Sequence, residues 1–246
     1  MNFNNIPPVT LRLIIINVLV FAFTGFIAPH LQNVFALWYF QSDGFQPYQL
    51  ATHMFTHGGF THILFNMYGV FLFGSMLERI WGAKRYLIFY FVSALGAVIL
   101  HQTVDYFQIQ AMISELSPEL IEMVKTEGLD VIRSGKIYKG NGSIHSDELL
   151  NNYNYALNSR MVGASGALFG LLVGFAMYFP NTELMLIFLP VPIKAKYFVM
   201  MYAAVELFMG INQSSGDNIA HFAHLGGALF GFILIQVWRR DRSSFY

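Results

Sequence analysis

The 246 residues contain no cysteine, which excludes disulfides, thiolate metal sites and cysteine nucleophiles. Charge is scarce as well. Asp, Glu, Lys and Arg make up 11% of the chain, where a soluble domain carries about 25%, and they cancel to a net charge of +0. A chain with no basic excess offers no footing for nucleic acid, so none is expected as a partner. HExxH is absent too, which removes the zinc-protease arrangement, and neither a metal nor another cofactor is expected. What fills the chain instead is apolar: 55% of residues are hydrophobic and 17% aromatic. The largest surface of such a protein faces lipid rather than water.

A membrane helix needs roughly 17–25 apolar residues. Six runs qualify, at about 11–29, 61–78, 86–103, 162–179, 195–211 and 218–238. The first is long for a signal peptide and is read as a retained helix. Lys and Arg of short loops mark the cytoplasmic side. Arg12 precedes span 1, Arg79, Lys84 and Arg85 separate spans 2 and 3, Lys194 and Lys196 separate spans 4 and 5, and Arg239, Arg240 and Arg242 follow span 6. Residues 30–60 and 212–217 hold no Lys or Arg. Both termini are therefore expected in the cytoplasm, and spans 2, 4 and 6 enter the bilayer from outside. No organelle-targeting segment is read ahead of span 1, so the bacterial cell membrane, inner or plasma, is the expected location.

The expected fold is an all-α membrane protein, a single domain over 1–246 with a polar insert at 104–161 between helices 3 and 4. Within the insert, Ser117-Pro118-Glu119 has the form of a helix start, with serine as cap and proline at the first helical position. Ser146-Asp147-Glu148 has it too, and KGNGS at 139–143 reads as a turn. The insert is expected to be a spacer of two or three amphipathic helices rather than an independent domain, because so short a chain makes a poor core.

Polar side chains near the outer ends of the spans stand out, since such groups are costly in lipid. His62 and Asn66 lie four apart on one face of span 2, Ser165 opens span 4, and His224 lies in the second turn of span 6. Gly166, Gly170 and Gly174 recur every four residues on span 4, as do Gly227 and Gly231 on span 6. Small residues at that spacing let helix backbones approach closely. If the stripes face each other, Ser165 meets His224, which is the pairing that activates a serine. A serine in a membrane helix commonly bonds its own backbone instead. The convergence of four polar groups on one level is what favours chemistry.

These residues give the sequence a resemblance to the rhomboid intramembrane serine proteases. GxSG stands as Gly163-Ala164-Ser165-Gly166, HxxxN as His62–Asn66, and the sixth-helix motif as Ala223-His224 with Gly227 and Gly231. GxxxExxxG stands as Gly74, Glu78 and Gly82. The match covers roughly 50–103 and 161–238. The resemblance implies a catalytic Ser165–His224 dyad cutting transmembrane segments of other membrane proteins. It implies an oxyanion site from His62, the Asn66 amide and the Ser165 N–H, room for the substrate at Gly163 and Gly166, and Phe169 stacked on the imidazole. It also implies a gate near span 5 and the loop 211–217.

The glycine offsets select His224 over His221, which is expected to face water or a loop. No acid is read within a span apart from Glu78, and Asp217, seven residues before His224, is assigned to a loop, so no third catalytic acid is expected. His53 and His57 are read as structural, bonding loop backbone or lining a water path. Two features depart from the family pattern: the first loop has Trp38-Tyr39 without the Arg that often follows the Trp, and the insert is large. The competing reading is an inactive rhomboid-like protein that binds membrane proteins.

Overall fold

A computed structural model describes residues 6–138, 144–186, 189–212 and 220–240. Asp217, the 213–217 part of the gate loop, the KGNGS turn and Arg242 lie outside the described residues. The chain is predominantly helical. Helix α1 spans Pro8–Ala22 and winds on through a π-helical turn to Ile27. Short helices α2 (Leu31–Phe35) and α3 (Gln49–Thr52) flank strand β1 (Leu37–Trp38). Helix α4 (Phe60–Gly69) passes through a second π turn, Val70–Gly74, into α5 (Ser75–Ile113). The insert supplies α6 (Pro118–Arg133) and α7 (Ile144–Asn158), followed by β2 (Arg160–Met161). Helix α8 (Ser165–Tyr178), a hairpin of β3 (Glu183–Leu186) and β4 (Leu189–Lys194), α9 (Ala195–Ile211) and α10 (His221–Arg240) complete the chain.

Among the described residues, three helical stretches are long and apolar enough to cross a membrane: Pro8–Ile27, Phe60–Ile113 and His221–Arg239. The second is broken at Gly82, whose φ of +74° leaves helical geometry between the apolar runs on either side. Only glycine takes that conformation without a steric cost. Helix α8 is apolar and shorter.

Helices α5, α8 and α10 form the centre, with α9 laid against α8 and α10 and α1 against α4 and α5. The main core gathers Leu77, Trp81, Phe89 and Tyr90 of α5, Ala167 and Leu171 of α8, and Ile235 of α10. Helix α1 shows how a membrane helix end is satisfied. Its cap position is Pro7, which offers no side-chain acceptor. Glu78 supplies one from α5: its carboxylate accepts from the N–H of Val9 at 2.9 Å, the N–H of Thr10 at 2.7 Å and the Thr10 hydroxyl at 2.8 Å. Three first-turn donors are thereby satisfied by a negative charge at the positive end of the helix. Glu78→Ala is expected to lower stability by roughly 2–3 kcal/mol, because it strands buried donors. Thermal unfolding in detergent reads this as a lowered midpoint, and an unchanged midpoint would refute the capping role.

The insert forms two helices that fold onto the end of α5. Helix α5 continues past residue 103 to Ile113, and α6 and α7 pack on this extension around a core of Ile109, Val124, Leu150, Tyr153 and Leu157. Tyr39 of the first loop is buried in the same cluster. Ser117 caps α6, accepting from Leu120 N–H at 3.5 Å, with Pro118 in the first turn. Helix α7 starts at Ile144, ahead of the Ser146 start expected from sequence.

Candidate active site

Helix α8 begins at Ser165 itself. Gly163, two residues earlier, has φ +114°, a left-handed value that side-chain-bearing residues rarely adopt. A Cβ on it would also lie 2.7 Å from His62 Nε2. The Gly163 N–H donates to the His53 carbonyl at 2.9 Å, so the first loop and His62 together hold the turn into the helix. As the first residue of α8, Ser165 has a backbone N–H with no intrahelical partner, at the positive end of the helix.

Helix α10 brings His224 to the serine. Nε2 lies 2.9 Å from Ser165 Oγ. The ring of Phe169, one turn along α8, lies 4.2 Å from the imidazole at an interplanar angle of 6°. Tyr202 of α9 backs that ring at 4.8 Å. The approach of α8 and α10 depends on glycine. A Cβ on Gly227 would fall on the carbonyl oxygen of Gly166, and one on Gly231 would lie 3.0 Å from Gly170 Cα. Ser165 and His224 are both partly exposed, so a second molecule has access to them.

On α4, His62 is partly buried and receives the Gly58 N–H on Nδ1 at 3.4 Å. Asn66 is 4% exposed. Its amide nitrogen donates to the His62 carbonyl at 2.9 Å, while its Oδ1 is buried without a partner. Among the described residues, no hydrogen bond joins either side chain to Ser165. The structure thus brings Ser165, His224 and Phe169 into direct contact, sets His62 beside Gly163, and leaves Asn66 bonded within its own helix.

A serine and an imidazole in hydrogen-bond contact, on two apolar helices fused by glycine, narrow the field of known proteins. The Rhomboid domain family model matches residues 44–109 and 137–240. The chain belongs to the rhomboid family. It is 29% identical over 192 residues to the rhomboid YdcA of Bacillus subtilis, covering 77% of this chain and 68% of that one. A mitochondrial rhomboid protein of Schizosaccharomyces pombe is 25% identical over 210 residues, covering 78% of this chain and 51% of its own length. The chloroplastic rhomboid-like protein 16 of Arabidopsis thaliana is 22% identical over 196 residues, covering 79% and 49%. The chain spans about half the length of the yeast and plant relatives.

Two features of this rhomboid correct the sequence reading. Glu206 lies inside the apolar run 195–211, so Glu78 is not the only acid within the six apolar runs. It is 4% exposed, and its Oε2 meets Nδ1 of His224 at 2.9 Å and Nδ1 of His221 at 2.7 Å. His221, expected to face water or a loop, is 2% exposed. A search for ionisable residues within each apolar run would have found Glu206, since a carboxylate in such a run demands a partner.

The first loop has its own anchors in place of the missing Arg. The side chain of Gln49, 1% exposed, makes four hydrogen bonds. It accepts from the N–H groups of Trp38 and Gln46 and donates to the carbonyls of Val34 and Gly44. β1 pairs antiparallel with β2, joining Leu37 to Met161 and Trp38 to Arg160. Ser42 donates to Asn158 Oδ1 at 2.8 Å. Arg133, from the insert, sets its guanidinium 5.9 Å from the centre of the Trp38 ring.

His53 and His57 belong to this loop framework. His53 Nδ1 lies 2.8 Å from the Gln49 carbonyl, and the His57 ring meets His62 edge-on at 5.1 Å. Burial holds His53 down to about 4 and, with the His62 ring adding to it, His57 down to about 3. Both stay neutral at pH 7.

Proposed function

We propose that this rhomboid is an intramembrane serine endopeptidase that hydrolyses peptide bonds in or near transmembrane segments of other membrane proteins. The observation that carries the reading is the 2.9 Å contact between His224 Nε2 and Ser165 Oγ, with the imidazole plane fixed by Phe169. That geometry lets His224 act as general base. Oγ attacks the peptide carbonyl carbon as its proton passes to Nε2. The resulting oxyanion faces the Ser165 N–H, with His62 beside it. An amide nitrogen carries two N–H donors, so Asn66 has one to spare beyond its bond to the His62 carbonyl. The C–N bond then breaks and the proton moves from Nε2 to the leaving amine. Water, deprotonated by His224, cleaves the ester and restores Ser165. No metal or cofactor enters any step.

The helices are read as six spans. Pro8–Ile27 is the first, Phe60–Ile113 counts as two about Gly82, and Ser165–Tyr178, Ala195–Ile211 and His221–Arg240 are the rest. Both termini lie in the cytoplasm, and the insert 104–161 lies outside as part of one rhomboid domain. The absence of cysteine makes the orientation easy to test: single cysteines at Asp43 and Lys84 are expected to react with an impermeant maleimide from the outside and the inside respectively. Labelling of both from one side would overturn it. The membrane proposed is the cell membrane, with the bacterial relative as guide, and fractionation of a tagged chain tests this.

The second reading is an inactive rhomboid-like protein that binds membrane proteins, and the intact Ser165–His224 contact argues against it. Incubating purified protein in detergent with a single-span substrate and a fluorophosphonate separates the two. The protease reading requires cleavage and labelling by wild type and neither by Ser165→Ala. An unreactive wild type would leave the binding protein.

A further inference from the structure

The Ser165–His224 pair does not stand alone, because a third helix reaches it. Helix α9 is apolar over nearly its whole length and turns Tyr197, Met200, Met201, Val205, Phe208 and Ile211 outward. Its buried residues are Ala195, Glu206 and Gly210. Gly210 and Ala195 need no partner, whereas a buried carboxylate does. Glu206 finds two, both on α10: Nδ1 of His221 at 2.7 Å and Nδ1 of His224 at 2.9 Å, on the same oxygen. We infer that Glu206 is a positioning residue for His224, so that Ser165, His224 and Glu206 form a triad carried on α8, α10 and α9. This inference rests on the protease reading above.

An ionised carboxylate only accepts, so the His224 nitrogen facing it must carry the hydrogen. The proton on Nδ1 leaves the lone pair on Nε2, which is the atom facing Ser165. Phe169 fixes the plane of the ring by stacking but has no say in which nitrogen is protonated. Glu206 therefore selects the tautomer that a general base requires. When Nε2 takes the serine proton, the imidazolium keeps its Nδ1–H on Glu206, and the new positive charge forms beside a negative one. His221 has its own part. It lies three residues before His224, on the same side of α10, and its bond to the same oxygen holds the carboxylate in place. This explains why His221 is buried rather than facing water.

The test uses the purified full chain in detergent with a single-span substrate. Glu206→Gln preserves the shape and removes the charge, and Glu206→Ala removes both. Glu206→Gln is expected to lower kcat by about 10²–10⁴-fold with KM within about twofold of wild type, and to slow fluorophosphonate labelling of Ser165 in step. A kcat within threefold of wild type, or a loss confined to KM, would overturn the inference and assign Glu206 to packing of α9. If Glu206→Ala does not fold, Glu206→Gln carries the test. Wild type inert toward both substrate and probe would overturn the protease reading itself, a result distinct from an active wild type insensitive at Glu206.

Discussion

Alanine at Ser165 or at His224 is expected to reduce substrate cleavage by about 10⁴-fold or more, and the double substitution to cost little beyond either single one. The reason lies in the 2.9 Å contact between Nε2 and Oγ. A serine hydroxyl is a weak nucleophile until its proton has somewhere to go, and an imidazole without the serine has nothing to activate. Each group acts through the other, so the second loss removes what the first has already made useless. Single-turnover cleavage in detergent, with the four proteins compared at saturating enzyme, gives the three ratios. Losses that multiply in the double variant would show that the two residues act independently. The His62 and Asn66 groups and the backbone N–H of residue 165 stay in place in all four proteins, so any residual cleavage reports these donors and substrate binding together.

Gly227→Ala is expected to be nearly as damaging, although it adds a single methyl group. The added Cβ would land on the carbonyl oxygen of Gly166, a backbone atom of the helix that carries Ser165. A flexible side chain could turn away, but a backbone carbonyl in the first turn of a helix cannot, so α8 and α10 must separate. Overpacking a tight contact costs about 1–3 kcal/mol. The larger effect falls on the chemistry, because the separation of these helices sets the distance between Oγ and Nε2. A displacement of about 1 Å can cost 10²-fold in rate. The expected result is a lowered thermal midpoint and cleavage down by about 10²-fold. Gly25→Ala, where a Cβ would meet nothing within 4 Å, serves as the control and is expected to change neither. Equal behaviour of the two variants would remove the case for close approach as the determinant of the site.

What the sequence reveals and what it hides follow from the range of the interactions. Apolar runs are local, and helices lie along them, at Pro8–Ala22 and His221–Arg240 for instance. Ser165 and His224 are legible because glycine spacing on two helices predicts which faces meet. Glu206 is no less visible as a letter, but its meaning is a contact with residues on another helix, and no spacing rule points there. The anchoring of the first loop is hidden for the same reason. The Ser42–Asn158 bond and the Trp38–Arg160 pairing join residues more than a hundred positions apart, and Gln49 looks like any loop glutamine until its four partners are in place. The packing of the insert is hidden in the same way: its amphipathic helices find an apolar wall in the end of α5 and Tyr39.

The placement of Glu206 ties two events together. Helix α9 is the peripheral member of the group around Ser165, and it carries the carboxylate that faces His224. Moving that helix outward to admit a substrate from the side would draw the carboxylate away from the imidazole. Side entry and chemical readiness would then exclude each other, as in an interlock. Lipid or protein drifting past an open flank would meet a disarmed serine, and only the return of the helix over an engaged strand would arm it.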